Sequence, residues 1–115
     1  MAAAPKQRKT QRTVTFEVKT ARPLNVGQQV FVAGGVNVLG NWRPDGLPLT
    51  RMGENLWSGY AILPVGETVE YKITLGDWAS EALDEAGVTP GNFSLKPGGD
   101  VVARHTVTTW LSDRA

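Results

Sequence analysis

Two stretches of the chain alternate apolar and polar residues with a period of two. This period is typical of a β-strand that buries one face and exposes the other to water. The first stretch is residues 13–19, where Val14, Phe16 and Val18 share a face. The second is residues 68–75: one face carries Val69, Tyr71, Ile73 and Leu75, and the other face carries Glu70, Lys72 and Thr74. Each stretch is predicted as a half-buried strand.

Shorter apolar stretches, separated by turn-forming residues, are predicted as the remaining strands. They cover residues 28–35, 56–63, 92–95 and 100–110. No segment has a helical period with caps; residues 79–87 permit one helical turn, which Gly87 and Pro90 would stop. About seven short strands predict an all-β chain, either an antiparallel β-sandwich of immunoglobulin-like size or an open barrel. We take the immunoglobulin-like sandwich as the expected fold class.

Length and charge restrict the possible classes. A chain of 115 residues has room for one domain with one core. We expect a disordered basic head over residues 1–12, a single β-sandwich domain over 13–111 and a tail over 112–115. Lys and Arg number 12 against 11 Asp and Glu, whereas a nucleic-acid-binding domain is expected to have a basic excess. No apolar run reaches the ~18 residues of a membrane span, and no secretory signal is recognisable. We therefore expect neither a nucleic-acid nor a membrane partner.

The chain offers little for nucleophilic catalysis. It has no cysteine, which excludes disulfides and thiolate metal sites, and one histidine, His105, in the last predicted strand. No Gly-x-Ser-x-Gly elbow is present. A hydrogen-bonded histidine of the sheet is therefore a better interpretation of His105 than the base of a triad. We expect no catalytic residue, no cofactor and no enzyme activity.

A cluster of carboxylates follows the strand at 68–75. Its members are Asp77, Glu81, Asp84 and Glu85. Paired carboxylates can hydrolyse glycosides, and several hard oxygens can bind calcium, but the spacing matches no EF-hand loop. A solvated acidic loop is the preferred interpretation; a calcium site and a small glycan-cleaving enzyme are the alternatives, and no metal ligand is predicted.

The four tryptophans divide into two classes. Trp57 alternates with small and apolar residues inside a strand, and Trp110 ends the last strand, so both are predicted to be packed. Trp42 and Trp78 lie in polar, turn-rich segments. Each is either a lid over the core or half of a paired aromatic platform, since the C–H faces of sugar rings lie flat on indole.

Several short motifs surround these tryptophans in a definite order. They are VFVAGG at 30–35, LGNW at 39–42, Leu-Trp at 56–57, LPVG at 63–66 and VEYK at 69–72. In this order, over about residues 13–110, the chain resembles the starch-binding carbohydrate-binding modules of family 20. The glycogen-binding modules of family 48 are related to that family. The GDW…N ending is also similar to starch-binding-like domains fused to esterase-type hydrolases.

The resemblance implies a glucan site built from named positions. Trp42 and Trp78 would be the two stacking faces, Lys72 and Asn92 would hydrogen-bond sugar hydroxyls, and Trp57 would belong to the core. Including the carboxylate that follows Trp78, the expected carbohydrate-binding residues are Trp42, Trp78, Lys72, Asn92 and Glu81.

The chain also departs from the family pattern. Ala79 stands where the family usually has Glu, and Glu81 follows two residues later; Phe93 replaces an Arg, and the segment between Trp78 and Asn92 is longer. The tyrosine of a second glucan site is replaced by Val26, so we expect that site to be missing.

The first hypothesis is therefore a non-catalytic module that binds α-glucans such as starch, glycogen and maltooligosaccharides. A covalently linked enzyme domain is a further candidate partner. The alternative is a starch-binding-like structural or interaction domain with little or no glucan binding. That alternative predicts that the 79–91 segment covers Trp42 or Trp78.

Overall fold

The structure is a computed structural model and describes residues 11–84, 86–98 and 101–114. Its strands are β1 (Gln11–Thr20), β2 (Phe31–Gly34), β3 (Leu47–Pro48), β4 (Thr50–Arg51), β5 (Leu56–Pro64), β6 (Val69–Thr74), β7 (Phe93–Leu95) and β8 (Val101–Val107). Short 3₁₀ turns occupy Asn37–Leu39, Trp78–Ser80 and Leu111–Arg114. No helix in the described residues is long and apolar enough to cross a bilayer.

The strands form two four-stranded sheets that face each other. One sheet has the order β4-β5-β1-β8 and the other β3-β2-β6-β7. Pairing is antiparallel except between β1 and β8, which run parallel. The predicted all-β sandwich is confirmed. Strands β3 and β4 were not predicted, because two-residue strands carry no periodicity.

The alternation in the sequence decides which residues form the core. On β1, Val14, Phe16 and Val18 are fully buried, and on β6 the odd-numbered positions are buried as well. Trp57 and Trp110 are also buried, as predicted. The exception on β6 is Thr74, which lies on the outer side and is nevertheless fully buried. Its hydroxyl donates to the carbonyl of Pro44 at 2.6 Å, so a loop covers this end of the outer face.

The ends of the chain relate to the expected boundaries as follows. Residues 1–10, most of the expected basic head, lie outside the described residues, and β1 begins at Gln11. At the other end, Leu111–Arg114 form a 3₁₀ turn that continues directly from the buried Trp110. Asp113 there pairs with Arg22 at 2.7 Å, which ties the turn back to the segment after β1.

The segment between Trp78 and Asn92 is attached to the body of the sandwich. Ala82 and Leu83 are buried, and Ala82 forms an isolated antiparallel bridge with Trp110. The amide of Ala82 donates to the carbonyl of Ile73 at 2.8 Å, and the amide of Leu83 donates to Thr109 at 2.9 Å. The first half of the segment thus closes one end of the core over Trp110.

Candidate functional site

Trp42 is presented by a turn in an unusual backbone conformation. Asn41 and Trp42 have φ angles of 51° and 67°, and Gly40 before them has φ 87°. Two consecutive left-handed non-glycine residues cost free energy, and such strain concentrates at functional sites. Hydrogen bonds hold the turn: the amide of Trp42 donates to Gly34 at 2.8 Å, and the amide of Asn41 donates to Val36 at 3.1 Å.

A glycine makes room for the Trp42 indole. A Cβ added to Gly35 would come within 3.0 Å of Nε1 of Trp42, which is tighter than almost all real Cβ contacts. The ring therefore lies against bare backbone on the outer face of the β2–β6 sheet. One side of the indole is supported by this contact, while 38% of the residue remains exposed.

Trp78 is presented by the turn that follows β6. Gly76, with φ 120°, reverses the chain, and Trp78 opens the 3₁₀ turn Trp78–Ser80. The buried Ser80 hydroxyl donates to the carbonyl of Asp77 at 3.0 Å and accepts from the amide of Leu75 at 3.2 Å. This small network fixes the turn and leaves the Trp78 indole 38% exposed.

The two indoles lie next to each other at the surface. Their ring centroids are 6.4 Å apart, and their planes are inclined by 45°. Together they line a groove of about 390 Å³, a size in the range of small-ligand sites. The residues lining this Trp groove are Trp42, Lys72, Trp78, Glu81 and Asn92. These are the same five residues that the sequence predicted as a carbohydrate site.

Lys72 and Glu81 form an ion pair in the Trp groove. Nζ of Lys72 lies 3.3 Å and 3.4 Å from the two carboxylate oxygens of Glu81, and it donates to the carbonyl of Pro90 at 3.2 Å. The side chains are only 19% and 10% exposed. Lys72 thus connects the outer face of β6 to Glu81 and to Pro90, the first and last residues of the 81–90 segment.

Asn92 is exposed at the rim of the Trp groove, and a second carboxylate orients it. Its Nδ2 donates to Oε1 of Glu70 at 2.9 Å. A carboxylate can only accept, so the amide nitrogen must face Glu70, and the amide oxygen remains as an acceptor. Sequence reasoning did not select Glu70. Its two-residue spacing from Lys72 on the outward face of β6 was the signal that pointed to it.

The acidic cluster is divided among separate environments. Glu81 is buried, so the interpretation as a wholly solvated loop is wrong at this residue. Asp84 is exposed and caps a turn, since its Oδ1 accepts from the amides of Ala86 and Val88 at 2.9 and 3.0 Å. Glu85 lies outside the described residues. Within the described ranges, no group of three or more His, Cys, Asp or Glu side chains is arranged to hold a metal ion.

The alternative of a covered platform can be compared directly with the geometry. It predicted that residues 79–91 bury Trp42 or Trp78. The described part of that segment instead packs on Trp110 and holds Lys72 through Glu81 and Pro90. Both groove indoles keep equal exposure.

His105 is a hydrogen-bonded histidine of the sheet, as predicted. Its Nε2 lies 2.7 Å from the hydroxyl of Tyr71, which belongs to the opposite sheet. Phe93 packs on the imidazole with ring centroids 4.5 Å apart. Burial lowers the pKa of His105 and raises the pKa of Tyr71 to about 12. The pair therefore joins the two sheets through neutral groups, away from the Trp groove.

A larger hollow of about 670 Å³ is lined by the other sheet, where Tyr60 and Ile62 are exposed, by the exposed Met52 and by Leu47 and Pro48 of β3. Its lining contains one aromatic residue and no charged side chain. A site for a polar ligand is expected to combine an apolar surface with converging polar groups. The Trp groove combines two indoles with two charged side chains and an amide, so we consider it the better candidate despite its smaller volume.

Comparisons with known proteins agree with the fold and the motif order. The sequence model of the family described as "Starch binding domain" matches residues 11–86. An alpha-amylase of Niallia circulans is 32% identical over 99 residues, which are 85% of this chain but 8% of the amylase. The chain thus spans a small fraction of that relative's length.

Two solved structures match the fold of this chain. A family 15 glucoamylase from Hypocrea jecorina matches 87% of this chain and 18% of its own, with a TM-score of 0.66 and 25% identity. The family 20 carbohydrate-binding module of a maltotetraose-forming amylase from Pseudomonas saccharophila matches 78% of this chain and 98% of its own, with a TM-score of 0.55 and 24% identity. The relation to family 48 stays a prediction.

Because the family match covers well over half of the sequence, the chain belongs to the starch binding domain family, whose members are non-catalytic carbohydrate-binding modules.

Proposed function

We propose that this chain binds α-glucans, including starch, glycogen and maltooligosaccharides, on the Trp42–Trp78 platform. The observation that carries the proposal is the convergence of two exposed indoles with Lys72, Glu81 and Asn92 around one groove. Apolar ring faces bind the C–H faces of the sugar, and the polar groups bind its hydroxyls.

The tilt of the platform favours α-linked over β-linked glucans. An α-1,4-linked chain curves, so that successive sugar faces are inclined to each other, whereas a β-1,4-linked chain is a flat ribbon. Two indole planes inclined by 45° match inclined sugar faces. Coplanar rings would suit the ribbon.

The polar groups have separate roles in this proposal. The Lys72 ammonium lies within hydrogen-bond distance of both carboxylate oxygens of Glu81 and of the carbonyl of Pro90, and a sugar hydroxyl would replace one of the two long Glu81 contacts. Asn92 accepts a hydroxyl proton through its amide oxygen, because its nitrogen is engaged by Glu70. Glu81 acts by holding Lys72 in position.

Titration with maltoheptaose or β-cyclodextrin, followed by tryptophan fluorescence and calorimetry, tests the proposal. Trp42→Ala and Trp78→Ala should each weaken binding by about 1–3 kcal/mol, in line with other stacking platforms. Tyr60→Ala is the matched control, since Tyr60 is 65% exposed on the other sheet and should leave the affinity unchanged. An unchanged fluorescence at millimolar ligand, or an equal loss in the Tyr60 variant, would refute the proposed site.

Polymers test the range of ligands. The protein should co-sediment with granular starch and be retarded by glycogen in native gels. It should not bind cellulose, whose chains are β-linked. The amylase and the glucoamylase that it matches are far longer, so we also propose that the module works while linked to a glucan-processing enzyme domain, to which it would supply substrate adhesion.

A further inference from the structure

A second hollow of about 340 Å³ adjoins the Trp groove. Both hollows are lined by Trp42 and Asn92, and the second continues to Gly35, Thr68 and Glu70 at the beginning of β6. We propose that this side hollow is an extension subsite that receives one further glucose unit of a bound α-glucan. The inference rests on the proposed function and specifies which length of chain the site prefers.

The two hollows adjoin at Trp42, which lines both of them. Its indole is the wall common to both, and its Nε1 lies next to Gly35, which lines the side hollow. Any side chain at position 35 would push against the indole and fill this boundary. A ligand stacked on Trp42 can therefore extend past the ring edge toward Thr68 without leaving the surface.

The side hollow differs chemically from the Trp groove. Beyond the shared Trp42 it offers hydrogen-bonding groups, namely the Thr68 hydroxyl and the Glu70 carboxylate. Oε1 of Glu70 is engaged by Asn92, which directs the carboxylate toward the boundary between the hollows and leaves Oε2 to accept from a sugar hydroxyl. Hydrogen bonds to a carboxylate are shorter and stronger than neutral ones. Affinity here should come from hydroxyl recognition, with stacking confined to the Trp groove.

The subsite predicts a specific dependence on chain length. A short oligosaccharide occupies the Trp groove, where stacking is strongest, whereas a longer one also reaches Thr68 and Glu70. Removing the side-hollow groups should consequently weaken the binding of long ligands and leave short ones nearly unaffected. Substitutions in the Trp groove should weaken both.

Calorimetric titration of the full chain with maltotriose and maltoheptaose tests this expectation. The variant Thr68→Val/Glu70→Gln removes the hydroxyl and one carboxylate oxygen, while the Gln carbonyl can still accept from Asn92. The dissociation constant for maltoheptaose should rise about three- to tenfold and that for maltotriose less than about twofold. Thr50→Val, an exposed threonine on the opposite sheet, is the control and should change neither value.

Each other outcome counts against the subsite. An equal loss of affinity for both ligands would mean that the substitutions act through Asn92. No loss of affinity for either ligand would mean that the oligosaccharide does not reach Glu70. Both results overturn the inference while the proposed function stands. A wild-type protein that binds neither oligosaccharide refutes the proposed function and the subsite together.

Discussion

The ion pair between Lys72 and Glu81 gives the sharpest prediction about the site. At 3.3 Å and an effective dielectric of about 20, the attraction of two unit charges is about 5 kcal/mol. Desolvation offsets much of this, but removing one partner leaves the other charge poorly solvated, which costs about 3–5 kcal/mol in a fully buried pair. Because 19% of Lys72 and 10% of Glu81 remain exposed, we discount the expected cost to about 2–3 kcal/mol.

The perturbation is Lys72→Met, which keeps the aliphatic length and removes the ammonium. It leaves the Glu81 carboxylate buried and also frees the carbonyl of Pro90. Glu81→Gln should cost less, since the amide oxygen still accepts from the ammonium. The double variant should be more stable than the sum of the single effects predicts, with a coupling of about 1–2 kcal/mol.

Urea unfolding at pH 7, followed by tryptophan fluorescence, measures these free energies of unfolding. Lys19→Met on the exposed side of β1 is the control and should stay within about 0.5 kcal/mol of the wild type. If Lys72→Met lowers the free energy of unfolding no more than Lys19→Met does, or if the single effects are additive, then Lys72 does not stabilise the 81–90 segment. In that case it would be available to ligand alone.

Two further predictions concern the fold. Burial lowers the pKa of His105 in the folded chain below its ordinary 6.5. Between the lowered pKa and 6.5, the unfolded chain binds more protons than the folded chain. The free energy of unfolding should therefore rise with pH over this interval and level off above 6.5. Urea unfolding from pH 5 to 8 measures this, and a rise of equal size in His105→Gln would contradict the assignment to His105. Separately, a Cβ at Gly46 would overlap the carbonyl oxygen of Leu39, whereas one at Gly91 meets nothing within 4 Å. Gly46→Ala should therefore lower the free energy of unfolding by about 2 kcal/mol or more, and Gly91→Ala should change it by less than about 0.5 kcal/mol, as thermal unfolding would record.

Much of the fold was predictable because strand parity is a local signal. The alternation on β6 placed Tyr71 inside and Lys72 outside, and the structure agrees at both positions. Thr74 escapes the same rule, since the residue that covers it, Pro44, comes from a distant loop. The parallel pairing of β1 with β8 is equally invisible in the sequence, because register between distant strands depends on tertiary packing.

The candidate site was predictable in membership but not in arrangement. The motif order suggested which side chains meet, and all five line one groove. It did not indicate that Glu81 would be buried against Lys72, nor that Glu70 would orient Asn92. The first contact is made by the segment between Trp78 and Asn92, and the second lies beside the antiparallel pairing of β6 with β7. Local sequence encodes neither pairing.

These pairings bear on how the site would bind. Lys72 is held by Glu81 and Pro90, Asn92 by Glu70, and the Trp42 indole by the backbone of Gly35. Side chains that are already ordered lose little conformational freedom when a ligand arrives, which preserves affinity in a shallow groove. The backbone strain at Trp42 is consistent with this interpretation, because the fold maintains a left-handed tryptophan where a glycine would be easier. The same preorganisation implies that substituting Glu81, which does not need to touch a sugar in the Trp groove, should weaken ligand binding by freeing the Lys72 ammonium.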